Sequence, residues 1–333
     1  MKIFVGNLKS KIETDNPKLL NALVQLYSFK IPGAEYSYRY KNHRWDGKKR
    51  FITSGGVFRT GLLNKVIHDL ERIDACPEVI YEHERKIVSK ENIKELGSFT
   101  YYDYQYELIR KSLEMQRGVI KSPTGSGKTL IMAGLIQALA GKKMIILFNA
   151  KHLLKQTYEF LTEACNFDNI GLCSGEGYIY GDIMLSTVQS IEKILDTHLN
   201  QAKVLMVDEC HEFANGRITL PAIGSFPKAQ HRFGFTATPP SDNIPKYSLE
   251  GALGPILQVV DTASLIDKGT LTKPIIQLIK RSYSASGVDE DMTYLDIYNE
   301  YIVNNDLRNK TIREIVDDIK QRNKRARVLI LTK

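Results

Sequence analysis

Tryptophan occurs once in these 333 residues and cysteine four times, with no C-x-x-C pair. The scattered thiols Cys76, Cys165, Cys173 and Cys210 therefore support neither a zinc site nor a disulfide framework. No apolar run approaches the roughly 18 residues that a membrane span needs. The first ten residues lack the long apolar core of a secretory leader. Internal repeats and low-complexity tracts are missing as well. What is there is ordinary globular composition, 43% hydrophobic and 25% charged, which argues against a disordered or fibrous chain. At about 150 residues per domain, the length suggests two domains, or one and a half plus accessories. A soluble, cytoplasmic chain is expected.

The net charge of +8 is unevenly spread. Residues 1–95 carry +6, residues 96–272 carry −1 and residues 273–333 carry +3. A basic N-terminal third fits a polyanionic partner, and it equally fits a charge excess that sets solubility.

Hydrophobic patterning divides the chain into zones. Residues 1–95 mix short β-like runs (1–5, 36–40, 50–53) with helical patterns near 17–27 and 62–73, as in a small α+β module, with Gly33, Gly47 and the Gly55–Gly56 pair as turns. Residues 96–275 alternate short apolar runs (118–121, 143–148, 183–186, 204–207, 232–235) with helical patterns (130–140, 152–165). That alternation predicts an α/β domain with a parallel sheet and helices on both faces. Residues 276–306 read as a connector. A helical pattern over 307–321 and an apolar run, Arg327-Val-Leu-Ile-Leu331, then read as the opening of a further α/β domain over 307–333 that the chain does not complete.

Chemistry concentrates in the second zone. Ser122-Pro123-Thr124-Gly125-Ser126-Gly127-Lys128-Thr129 follows an apolar strand and opens a helix, the context a phosphate-binding loop requires. Gly125 and Gly127 let backbone N–H groups converge on phosphates at a helix N-terminus, where the dipole also favours negative charge. Lys128 is placed to neutralise the β- and γ-phosphates, and the Thr129 hydroxyl to hold Mg²⁺. Ser122 stands where the motif usually has Gly. Downstream, Val204–Val207 runs into Asp208-Glu209-Cys210-His211. A carboxylate at such a strand end holds Mg²⁺ in phosphate-loop ATPases, which assigns the metal to Asp208, and the adjacent Glu209 is placed to activate water.

With these residues in view, the sequence resembles superfamily 2 helicases and translocases. Asp208-Glu209-Cys210-His211 is similar to their D-E-x-H box, and further motifs follow in order: Tyr104-Gln105, Phe148-Asn149-Ala150-Lys151, Ser174-Gly175, Ser186-Thr187-Val188-Gln189-Ser190 and Thr236-Ala237-Thr238. The resemblance implies a first RecA-like motor domain that uses ATP and Mg²⁺. It implies that Gln105 selects adenine, although Tyr102 stands where many relatives have Arg. It further implies that Lys128, Thr129, Asp208 and Glu209 carry phosphate binding, metal binding and catalysis. His211, Thr236 and Thr238 would couple the nucleotide site to the nucleic-acid strand, with Gln189. Lys151, Ser174, Gly175, Thr187 and Gln189 would contact DNA. Since hydrolysis in this family is completed by arginines of a second motor domain, residues 1–333 alone are expected to bind nucleotide and DNA but turn ATP over slowly.

Tyr36 to Arg50 contains six Lys/Arg and one acid. If Tyr36, Tyr38 and Tyr40 lie on a strand they share one face, either for stacking on bases or as a small core face beside a solvated basic turn. Arg39, Arg44, Trp45, Lys48, Lys49 and Arg50 are the candidate DNA contacts here. The turn Trp45-Asp46-Gly47-Lys48 and the order of domains resemble phage branch-migration helicases. That implies a monomeric enzyme acting on single-stranded, forked or branched DNA in host cytoplasm, in replication, recombination and repair. Three readings compete: an RNA helicase, which shares the core motifs; a restriction-enzyme motor subunit, whose nuclease signature has no convincing counterpart in residues 1–95; and a binding module gated by nucleotide.

Overall fold

The computed structural model of the chain describes residues 1–83, 93, 95–194, 201–214, 223–224, 226–278 and 292–331. Two compact units result, Met1–Lys273 and Pro274–Lys333. No helix among the described residues is long and apolar enough to cross a membrane.

The first unit opens with β1 (Lys2–Val5), β2 (Lys9–Glu13), β3 (Ser28–Lys30), β4 (Lys48–Arg50), β5 (Val57–Arg59) and β6 (Glu78–Tyr81). Four of them form a sheet in the order β5-β2-β1-β6, in which β1 and β6 run parallel, while β3 and β4 form a separate antiparallel ribbon. The helix Pro17–Leu26 starts where Asn16 accepts the Leu19 N–H at 3.1 Å and proline fills the first turn, where no N–H is needed. With helix Leu63–Glu71 it encloses a core of Ile3, Ile12, Tyr27, Phe58, Leu62, Val66 and Leu70.

The large sheet comprises β7 (Arg117–Lys121), β8 (Met144–Phe148), β9 (Ile170–Ser174), β10 (Gly177–Ile179), β11 (Ile183–Thr187), β12 (Val204–Val207), β13 (His231–Thr236) and β14 (Ile256–Leu257). Its order is β10-β9-β11-β8-β12-β13-β7-β14, and every pairing is parallel except β10 with β9. Successive side chains on a strand point to opposite faces. Accordingly Ile146, Phe148, Met206 and Phe235 enter one core, with helices Asp103–Met115 and Lys128–Ala138, while Ile145, Leu147, Leu205 and Val207 enter another, with Phe213, Leu249 and Leu253. Strands buried on both faces read as unbroken apolar runs, which is why they were legible in sequence. Strands β9, β10 and β14 and the helices Asp103–Met115 and Asn243–Leu253 were not.

Helix Asn243–Leu253 joins the four-stranded and the eight-stranded sheets of this unit. The backbone at Gly61 approaches it so closely that a Cβ there would lie 2.0 Å from the Glu250 carbonyl oxygen. Lys65 pairs with Glu250 at 3.2 Å, Tyr247 packs on Phe29 and Phe51, and Arg117 donates to the Asn7 carbonyl at 2.6 Å. The basic module is thus held against the motor-like sheet.

Several sequence expectations change here. Tyr36–Tyr40 is not a strand: Ala34–Tyr36 is a 3₁₀ turn and Tyr38–Lys41 a short helix, capped by Ser37, whose hydroxyl accepts the Tyr40 N–H at 3.3 Å. A local side-chain cap overrides period-2 spacing, and Tyr36 and Tyr38 are left 78% and 74% exposed. The run at 50–53 shifts to Lys48–Arg50 and pairs with Ser28–Lys30. In the second unit, Asn305 caps helix Asp306–Arg322 by accepting the Arg308 N–H at 2.8 Å, and a short helix, Tyr294–Tyr298, precedes it inside the expected connector. Residues 327–331 form no strand, and Leu329 is 81% exposed. An apolar run becomes a strand only when a neighbouring strand accepts its ladder.

Candidate functional site

The carboxyl ends of β7, β13 and β12 lie side by side, and that edge gathers the chemistry-bearing residues, as expected for an open parallel sheet. The loop after β7 is pinned from several directions. The Ser122 N–H donates to the Thr236 carbonyl at 3.1 Å, its hydroxyl meets the Ser126 hydroxyl at 2.5 Å, and the Ser126 hydroxyl donates to the Pro123 carbonyl at 2.6 Å. Ser122, read as a departure from the motif, is therefore a brace. Gly127 caps helix Lys128–Ala138 at φ +78°, which a side chain rarely adopts, and a Cβ there would meet the Gln105 amide nitrogen at 2.5 Å.

At the head of that helix, Lys128 Nζ lies 3.7 Å from Glu209 Oε1. Glu209 holds a left-handed backbone, φ +43° and ψ +48°, a costly conformation for a non-glycine residue that turns the chain sharply after β12. Its other carboxylate oxygen is 3.4 Å from His211 Nδ1, which in turn sits 2.8 Å from the Thr236 hydroxyl. The Thr238 N–H donates to that same hydroxyl at 3.0 Å. Lys128, Glu209, His211, Thr236 and Thr238 thus form a continuous polar chain across three strand ends.

Burial, with the neighbouring Glu209 carboxylate adding to it, raises the Asp208 carboxyl to a pKa of about 6. Two adjacent carboxylates that repel each other suit a divalent cation. Among the described residues no group of three or more His, Cys, Asp and Glu could enclose a metal alone. A carboxylate, Asp208, and the Thr129 hydroxyl are hard oxygen donors of the kind that would hold Mg²⁺.

The raised pKa carries a pH consequence. Between about pH 4 and pH 6 the folded Asp208 keeps a proton that the unfolded chain has released, so stability falls as pH rises through this window and levels off above it. Denaturant unfolding at pH 4.5 and pH 7 is expected to show a loss of about 2 kcal/mol on going to pH 7 that Asp208→Asn does not share. Equal pH dependence in both proteins would reject the assignment.

Beside the loop is a cavity of about 340 Å³ lined by Phe99, Tyr102, Tyr104, Gln105, Leu130 and Phe160, with Gly125, Ser126, Gly127, Thr129 and Gln156. The Tyr102 and Tyr104 rings stack at 5.8 Å and 9°. Gln105 is only 2% exposed, and both ends of its amide are used inside the protein: Nε2 donates to the Ser126 carbonyl at 2.8 Å, and Oε1 accepts the Tyr102 N–H at 3.0 Å. The Tyr104 hydroxyl donates to the same Ser126 carbonyl at 2.7 Å. Sequence reasoning found Gln105 but not the part of Tyr104, since a single tyrosine in the first turn of a helix carries no spacing signal.

The candidate strand-contacting residues separate. Lys151, Ser174 and Gly175 do come together: Lys151 pairs with Glu176 at 3.2 Å, and a Cβ on Gly175 would lie 3.3 Å from Lys151 Nζ. Gln189 is exposed. Thr187, at the end of β11, is buried, and its hydroxyl donates to Ser190 Oγ at 3.0 Å, so that side chain is turned away from solvent. In the N-terminal module Arg39 and Arg44 are exposed. Trp45 Nε1 donates to the Lys48 carbonyl at 3.1 Å, and Arg50 pairs with Asp46. Lys49 departs from its expected role: Nζ donates to Ser248 Oγ at 2.9 Å and stands 5.3 Å from the Phe51 ring centre, an intramolecular setting in which burial lowers its pKa.

Comparison with known proteins bears on the fold that carries this arrangement. Residues 98–241 match the family model for the type III restriction enzyme res subunit. The ATP-dependent DNA helicase uvsW of Enterobacteria phage T4 is 23% identical over 337 residues, 92% of this chain and 66% of that protein. The DNA 3'-5' translocase XPB2 of Sulfurisphaera tokodaii is 29% identical over 160 residues, 46% of this chain and 34% of the relative. The crystal structure of the UvsW helicase from bacteriophage T4 superposes with a TM-score of 0.63 at 20% identity, over 77% of this chain and all but 1% of the other, which shows a shared fold. The chain spans just under two thirds of the phage protein and about a third of the translocase.

Proposed function

We propose that this chain, which resembles the superfamily 2 helicases and phage T4 UvsW in particular, is the nucleotide-binding part of an ATP-dependent DNA helicase or translocase acting on forked or branched DNA. The observation that carries the reading is the polar chain from Lys128 through Glu209 and His211 to Thr236, because it ties a phosphate loop to neighbouring strand ends. Lys128 and the loop N–H groups receive the triphosphate, and Asp208 with Thr129 would hold Mg²⁺, which would supply neutralisation of charge at the phosphates. Glu209 accepts a proton from the attacking water. As Glu209 turns from Lys128 to that water, His211 loses a partner and passes the change to Thr236, so that β13 feels the state of the nucleotide.

Lys151, Ser174 and Gly175 form one phosphate-contacting patch under this reading, and Gln189 contributes from the exposed turn after β11. Arg39 and Arg44 of the N-terminal module form another. The protein works as a monomer. Phosphate-loop motors gain about 10³-fold or more from an arginine brought to the γ-phosphate. One RecA-like sheet is present among the described residues, and with no such arginine brought to its loop the site hydrolyses slowly.

The test measures affinity and ATPase stimulation with forked DNA, single-stranded DNA, duplex DNA and RNA. Strongest stimulation by forked DNA supports the reading, whereas equal or greater stimulation by RNA turns it to an RNA helicase. Arg39→Glu with Arg44→Glu is expected to weaken fork binding and flatten the log–log salt slope by about 0.9 per lost phosphate contact. Unchanged slope and affinity would leave the basic segment as a structural cap. Lys49 is left out of this test because its reversal would put a carboxylate against Phe51 at the module boundary.

A further inference from the structure

We infer that Tyr36 and Tyr38 are a stacking platform for unpaired bases, so that the N-terminal module takes hold of a single-stranded segment by ring faces as well as by charge. This rests on the nucleic-acid reading above and adds which part of a fork the module receives.

The tyrosines at 36, 38 and 40 part company in the folded chain. Tyr40 is turned inwards: a Cβ on buried Gly47 would lie 3.0 Å from its ring. The single tryptophan, Trp45, is half-buried and spends its Nε1 on the Lys48 carbonyl at 3.1 Å. Tyr36 and Tyr38 are instead left 78% and 74% exposed. Among the described residues neither hydroxyl is hydrogen-bonded and neither ring stacks on another. The backbone beneath them is nevertheless tied down. The Tyr36 N–H donates to the Gly33 carbonyl at 3.1 Å, Ser37 caps the helix Tyr38–Lys41, and the Arg44 N–H donates to the Arg39 carbonyl at 2.9 Å. A tyrosine has only two side-chain torsions, so rings carried on such a segment offer contact area at low entropic cost.

The charges around the rings indicate the occupant. Arg39, Lys41 and Arg44 are exposed, and among the described residues none of them pairs with a carboxylate. The flanking acids are already engaged, Glu35 by Lys30 at 4.0 Å and Asp46 by Arg50. Two open rings and three uncompensated cations between positions 36 and 44 fit a polyanion that also carries flat apolar faces. Nucleic acid is such a ligand, and only its unpaired bases can be splayed out to meet an aromatic ring. Each base stacked on an aromatic side chain is worth about fivefold or more in affinity, with little regard to sequence.

The experiment titrates the whole chain with a thymidine-only oligonucleotide, an abasic strand of the same length, which keeps the phosphates and lacks the bases, and a blunt duplex. The proteins are wild type, Tyr36→Ala with Tyr38→Ala, Tyr36→Phe with Tyr38→Phe, and Arg39→Glu with Arg44→Glu. The double alanine variant is expected to lower the preference for the base-bearing over the abasic strand by about fivefold or more. Its affinity for the abasic strand and the duplex, and its salt slope, should stay at the wild-type level. The double phenylalanine variant keeps the rings and is expected to match wild type. The charge reversal is expected to weaken all three ligands and flatten the salt slope while keeping the base preference. A double alanine variant that retains the wild-type preference, or that loses base-bearing and abasic strands alike, overturns the inference. So does a double phenylalanine variant as weak as the alanine one. If the alanine variant changes only the oligomeric state of the chain, the rings serve contact between copies and the inference fails. Either result leaves the motor reading standing so long as wild type binds these ligands; a wild type that binds none of them rejects both.

Discussion

Lys128→Ala is expected to lower ATP affinity by about 30-fold or more, because truncating one partner of a desolvated charge pair costs about 2–5 kcal/mol. The lysine is 14% exposed and held at the head of a helix, so its charge acts on the phosphates with little screening. No other side chain of the loop is cationic. Folding should survive: Ala is the best helix former, and the lysine's ion-pair partner Glu209 is itself part-exposed and can be solvated. Calorimetric or fluorescent-nucleotide titration reads the effect directly. Wild-type affinity in this variant would show that the loop does not hold phosphate through Lys128.

Glu209→Gln separates binding from turnover. The amide keeps the size of the side chain and the strained turn at φ +43°, and changes only charge and basicity. Removing a general base costs about 10²–10⁴-fold in the chemical step. ATP affinity, in contrast, should hold or rise, since Lys128 no longer spends its charge on a carboxylate 3.7 Å away. Single-turnover hydrolysis alongside a binding isotherm measures both halves. Normal hydrolysis would remove Glu209 from the role of base, and a parallel fall in affinity would mean that the substitution disturbs the loop itself.

How far the site could be read beforehand depended on what each residue bonds to. Asp208, Glu209 and Thr236 stand at strand ends and Lys128 at a helix head, each next to a short run of buried apolar residues. Their positions follow from local pattern. Gln105, Thr187 and Lys49 were found by the same kind of matching, yet their side chains turn to Ser126, Ser190 and Ser248. Ser248 lies 199 residues from Lys49, and no local pattern encodes such a partner.

The N-terminal module shows the same limit. Alternating tyrosines at 36, 38 and 40 fit a strand, but Ser37 supplies a cap bond and the segment winds into a short helix. A hydroxyl's choice between solvent and a backbone N–H depends on geometry that alternation does not describe.

By itself, the sequence determined the phosphate loop, the acidic strand end, the parallel α/β architecture and the basic balance of residues 1–95. These depend on periodicity and on residue types adjacent along the chain, where backbone geometry sets what can meet. Only the tertiary structure decided that the N-terminal module locks onto helix Asn243–Leu253, that Gln105 bonds to the Ser126 carbonyl, and that Lys128, Glu209, His211 and Thr236 form one polar chain. Each of these joins residues on separate elements. Such contacts come into being when the sheet order is set and buried polar groups must find partners, because leaving one unpaired costs about 1–3 kcal/mol.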